Sequence, residues 1–75
     1  MKPTTAEDYR SRMNRVLAHL AGRLDDPPGL EELARIAHFS PFHFHRVFRA
    51  MAGESVGALL RRLRLERAAR TLGRD

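Results

Sequence analysis

The stretch "SPFHFHRVFRAMAG", residues 40 to 53, constrains the fold more than any other part of the chain, because both of its ends are punctuated. Ser40 offers an oxygen to the unpaired N–H groups of a helix start, and Pro41 suits the first helical position, where the N–H it lacks has no intrahelical partner. Gly53 is the residue that most readily leaves a helix in the left-handed conformation. The spacing therefore predicts a helix over 41–52. At about 100° per residue, Phe44, Val47, Phe48 and Met51 share one side at i, i+3, i+4 and i+7, the mark of a core-facing stripe. Phe42, His45, Arg46 and Arg49 repeat that spacing on the opposite side. Such a helix has a core to join and a partner to read.

Three more helices follow from the same logic. Tyr9, Met13, Val16, Leu17, Leu20 and Leu24 form a stripe after a threonine-rich start, where Thr4 or Thr5 can cap and Glu7 and Asp8 favour the first turn. This predicts a first helix over 6–24, stopped by "DDPPG", whose two prolines cannot continue it. Leu30, Leu33, Ala34 and Ala37 give a second, short helix over 30–37 its inner face, and the small Ala34 lets another helix cross closely. "HFS" at 38–40 is then a three-residue turn into the helix over 41–52. Ser55 caps a fourth helix over 56–72, whose apolar positions change sides along its length. Val56, Leu59, Leu60 and Leu63 cluster on one side; Leu65, Ala68, Ala69 and Leu72 cluster nearly opposite, as if the helix served two cores in turn. No strand pattern or repeat occurs. The expected fold is all-α, a helix-turn-helix with a homeodomain-like three-helix core and an added linker helix, and residues 1–75 form one module.

At 75 residues such a domain buries only about 60% of its unfolded surface, and the absence of cysteine leaves the helical stripes as the whole source of its core. The first residues lack the apolar run of a signal peptide, and no stretch approaches the ~20 apolar residues of a membrane span. A soluble, cytoplasmic chain that touches no membrane is expected. The formal charge is +5, and thirteen of the fourteen basic residues are arginine, whose planar fork suits phosphates and guanine edges. His19, His38, His43 and His45 lack the i, i+3 or i, i+4 companions of a helical metal site, so no metal or cofactor is expected. No nucleophile–base pair, phosphate loop or paired acids can be traced, so the chain is not read as an enzyme.

The pattern of short helix, three-residue turn and basic-faced helix is that of proteins whose second helix enters the DNA major groove. Phe42 either packs back on the turn at Phe39 or offers apolar contact to a thymine methyl or a sugar. Two other classes fit the composition: a helical module that binds protein through its Leu65 face, and a basic surface that binds nucleic acid without sequence preference.

Residues 30–72, "LEELARIAHFSPFHFHRVFRAMAGESVGALLRRLRLERAARTL", resemble the first helix-turn-helix and linker helix of the AraC family of bacterial transcription regulators. The resemblance rests on "LEELA", on "S-x-x-H-F-x-R-x-F" at 40–48, on Gly53, and on "R-L-x-x-A-x-x-x-L" at 64–72. It implies double-stranded DNA as partner, with Phe42, His45 and Arg46 reading bases and Arg49 supporting through phosphate; Ser40 and the boundary residue His43, at the start of the same helix, are expected to contact phosphate or support the readers. Leu59 departs from the aromatic residue usual in the family at that position. The family pairs two helix-turn-helix modules across the linker helix, and the sequence here contains one. The 65–72 face, Leu65, Ala68, Ala69 and Leu72, is thus expected to be the seat of the second module, or a route to self-association.

Overall fold

The computed structural model describes residues 4–72 and places them in four helices: α1 (Thr5–Ala21), α2 (Leu30–Ile36), α3 (Pro41–Ala52) and α4 (Val56–Leu72). No strand occurs among the described residues, and no helix is long and apolar enough to cross a membrane. The chain is an all-α helix-turn-helix, as its patterning implies.

The caps act where the sequence puts them. Thr4 and Glu7 form a reciprocal capping box: Glu7 N–H donates to Thr4 Oγ1 at 3.1 Å and Thr4 N–H donates to Glu7 Oε2 at 3.3 Å. Ser40 Oγ accepts from His43 N–H at 3.3 Å and Ser55 Oγ from Ala58 N–H at 3.2 Å. Gly53 stands at φ 77°, so α3 ends in the left-handed conformation that only glycine adopts without strain.

The first helix is shorter than its stripe suggests, ending at Ala21 rather than Leu24. Gly22 is a poor helix residue, and Arg23 turns the chain by donating its amide to Leu20 O and its Nε to Asp26 O, both at 3.1 Å. Leu24 remains half-buried, but in the connection rather than in α1. The second helix closes one residue early, with Ala37 as its C-cap.

The core is formed by Met13, Val16 and Leu20 of α1, Leu33, Ala34 and Ala37 around α2, Phe44 and Phe48 of α3, and Leu59 of α4. At about 1.5–3 kcal/mol for each large side chain withdrawn from water, these few residues carry most of the folding drive. α2 packs against both α1 and α3, and α4 against α3. Leu59, where the family resemblance leads one to expect an aromatic ring, is buried in this core. Three stripe residues depart from expectation. Leu17, Leu30 and Met51 are exposed, Met51 by 45%. Leu30 opens α2 at its solvent edge. Leu17 and Met51 instead line a groove of about 240 Å³ between α1 and α3, with Arg10 and Asn14 beside them, and among the described residues only these two helices line it.

The fourth helix changes character after Leu63. Leu59 is buried and Val56, Leu60 and Leu63 are partly buried, whereas every described residue from Arg64 to Leu72 is exposed. This half extends from the body of the domain, whose principal dimensions are 49 × 26 × 19 Å.

Candidate nucleic-acid interface

The turn before α3 decides how that helix is presented. α2 ends in a Schellman arrangement, with Phe39 N–H donating to Ala34 O at 2.9 Å and His38 N–H to Arg35 O at 3.1 Å. The pattern requires a left-handed residue at position 38, and His38 adopts it at φ 59°, where glycine is more usual. The chain then enters α3 through the Ser40 cap.

From that cap, α3 buries Phe44 and Phe48 and turns Phe42, His45, Arg46 and Arg49 to solvent, so the two expected faces are both realised. Phe42 does not pack back on the turn. It is 72% exposed, and the Arg46 guanidinium lies over its ring at 5.9 Å, a cation–π contact on the outer surface. Ser40, Phe42, His43 and Arg46 border one open depression with Val47 and Ala50, which brings four of the six expected site residues together. His45 and Arg49 lie outside that depression, exposed on the same outward side of α3. His43 is exposed, with its ring stacked on Phe39 at 4.9 Å and 16°.

Four arginines are held in ion pairs. Arg12 pairs with Asp8 within α1, and the carboxylate pairs of Arg23, Arg62 and Arg67 join different parts of the fold. Arg62, held by Glu54 and Glu66, is thereby stabilised in its charged form, its pKa raised above the ordinary arginine value. Arg46 and Arg49 have no carboxylate partner among the described residues. From Leu33 to Gly53 the sequence contains no acidic residue at all, while Arg35, His38, His43, His45, Arg46 and Arg49 fall within it. The outer face of α3 is therefore an uncompensated cationic surface carrying one exposed aromatic ring, on a helix whose positive N-terminus lies at the same end. Among the described residues, no group of three histidine or acidic side chains could hold a metal ion.

One residue that the stripes do not mark stands behind this surface. Arg12 of α1 donates to the carbonyl oxygens of His38 at 3.2 Å and Ala37 at 3.4 Å, and pairs with Asp8 at 2.8 Å. The signal available in the sequence is the i, i+4 spacing of Asp8 and Arg12, which by itself indicates a surface ion pair.

The geometry is that of a helix-turn-helix domain with an added helix. The chain is 37% identical over 54 residues to the Right origin-binding protein of Escherichia coli and, to the same degree, to the transcriptional regulator Rob of Salmonella typhimurium, a stretch covering 72% of the chain and 19% of each relative. It is 31% identical over 64 residues to the uncharacterized HTH-type transcriptional regulator YbfP of Bacillus subtilis, covering 85% of the chain and 22% of that protein. No protein-family model matches the chain. It carries an AraC-type helix-turn-helix domain, and it spans about a fifth of the length of these relatives.

Proposed function

We propose that this domain is a double-stranded DNA reader of a bacterial transcription regulator, with α3 as the helix that enters the major groove. The observation that carries the reading is the acid-free run from Leu33 to Gly53, whose outward face on α3 bears unpaired Arg46 and Arg49 beside exposed Phe42. The names of the relatives, two regulators and an origin-binding protein, support the same class.

In this reading Arg46 and His45 donate to base edges, and Phe42 supplies apolar contact to a thymine methyl or sugar. Arg49 and His43 meet phosphates, and Ser40, whose oxygen accepts the His43 amide, keeps its hydroxyl proton free for a phosphate oxygen. Leu65, Ala68, Ala69 and Leu72 seat a second helix-turn-helix module; Leu65 and Leu72 are 66% and 78% exposed, and that exposure favours a partner there.

A single module is expected to cover only about 600–1,000 Å², so binding by this chain should be weak. Neutralising roughly three to five phosphates gives a slope of log K against log salt near −3 to −5. Fluorescence titration with a labelled duplex at several salt concentrations measures it. A slope near zero would remove the electrostatic basis of the proposal.

A further inference from the structure

We propose that Arg12, on a helix that does not itself carry the reading residues, is a positioning residue for the reading helix and so a determinant of sequence discrimination. The inference rests on the assignment of α3 as the reader. It is carried by one connected cluster running from α1 through the turn to the first turn of α3.

Arg12 is held in place by Asp8 at 2.8 Å. Its guanidinium donates to the last carbonyls around α2, those of Ala37 and His38, at the negative end of that helix, where a cation is favoured. The same guanidinium lies 4.8 Å from the centre of the Phe39 ring and 5.8 Å from that of Tyr9. Phe39 meets Tyr9 edge-on at 5.0 Å and stacks nearly parallel to His43 at 4.9 Å. His43 stands next to Phe42 and three residues before Arg46, in the turn of α3 that carries the exposed ring and the unpaired cation.

The reason such a device belongs here is the turn itself. His38 occupies a left-handed conformation without the glycine that would relax it, and the connection from Ala37 to Ser40 is only four residues long, so small changes there alter the direction of α3. Arg12 fixes the carbonyl of that strained residue and, through Phe39, the ring at the start of α3. Lysine keeps the charge but has neither the fork that reaches two carbonyls nor the plane that stacks on a ring.

The test uses a duplex recovered by the wild-type chain from a random-sequence pool and a scrambled duplex of equal composition. Arg12→Lys should retain the helical content and the salt slope of the wild type, yet lose about tenfold of its preference for the recovered duplex, the size of one well-made base contact. The His43 Hε1 resonance should move downfield as the ring-current shielding from Phe39 is lost. Phe39→Leu should reproduce both effects and Phe39→Tyr should restore both; this second pair decides the matter if Arg12→Lys fails to fold. An unchanged preference in Arg12→Lys and Phe39→Leu, with the wild type discriminating, overturns the positioning role alone. So does an equal loss on both duplexes, as general destabilisation would give. A wild type that shows no preference overturns the assignment of α3, and this inference with it.

Discussion

Arg64 of α4 donates through Nε to the carbonyl oxygen of Leu24 at 2.9 Å, joining two residues forty positions apart. One turn further on, Arg67 pairs with Asp25 at 2.7 Å. On α4 these arginines continue the side that Val56, Leu60 and Leu63 present to the core, so the inner face passes from apolar to cationic at Leu63. The far half of the helix is thus tethered to the α1–α2 connection by polar contacts in water rather than by apolar burial, and exposed contacts of that kind contribute little.

Acid should loosen this end first. The hydrogen bond from Arg67, and then its charge, hold the Asp25 carboxyl below its ordinary value of 3.8. A depressed folded value means the pair is fully formed above pH 3.8 and is lost as the pH falls through the lowered value. The Cα shifts of residues 66–72 should therefore move toward coil below that pH. In Asp25→Asn this component should be absent and the end already looser at pH 6. Identical titrations in both proteins would show that Asp25 does not hold the helix.

Leu65→Glu with Leu72→Glu should leave the melting temperature almost unchanged, within about 0.5 kcal/mol in stability, because both side chains are exposed. Any self-association seen by sedimentation at high concentration should disappear. Global unfolding of the double variant would mean that the stripe belongs to the domain's own core.

Phe48 and Met51 share the expected inner stripe of α3 but should answer truncation differently. Phe48 is fully buried, so Phe48→Ala should cost about 3–5 kcal/mol, enough to unfold much of a small domain. Met51→Ala should cost well under half as much, since that side chain stands at the open groove beside Leu17. Urea denaturation of the two variants compares them directly.

That contrast marks how far periodicity reaches. The two faces of α3, its bounds and the start of α4 were legible because Ser40, Pro41, Gly53 and Ser55 specify those ends and the 3.6-residue period specifies the sides. Periodicity does not say how far apart two helices diverge, so it counted Leu17 and Met51 as core although α1 and α3 leave a groove there. The end of α1 was overrun because Leu24 continues the stripe; side-chain contacts of Arg23 to Asp26 and Glu32, invisible to a stripe, turn the chain earlier. Arg12 stayed hidden for a related reason. Its partners at 37–39 lie far away in sequence, and only the packing of α1 against α2 brings them within reach.

His38 offers a stability test of the turn. Its positive φ and exposed side chain mean that His38→Gly removes strain and no core contact, so the variant should gain about 1 kcal/mol in thermal or urea denaturation. A loss of stability would show that the imidazole makes a contact worth more than the strain.

The division of labour on α3 is best tested by binding of Arg46→Ala and Arg49→Ala to a selected duplex and to its scrambled counterpart. Arg46→Ala should cost about 1–3 kcal/mol on the selected duplex and little on the scrambled one, as loss of a base contact requires. Arg49→Ala should weaken both duplexes alike and lower the salt slope by about one. Identical behaviour of the two variants on both duplexes would contradict the assignment of the outer face of α3 as a sequence-reading surface.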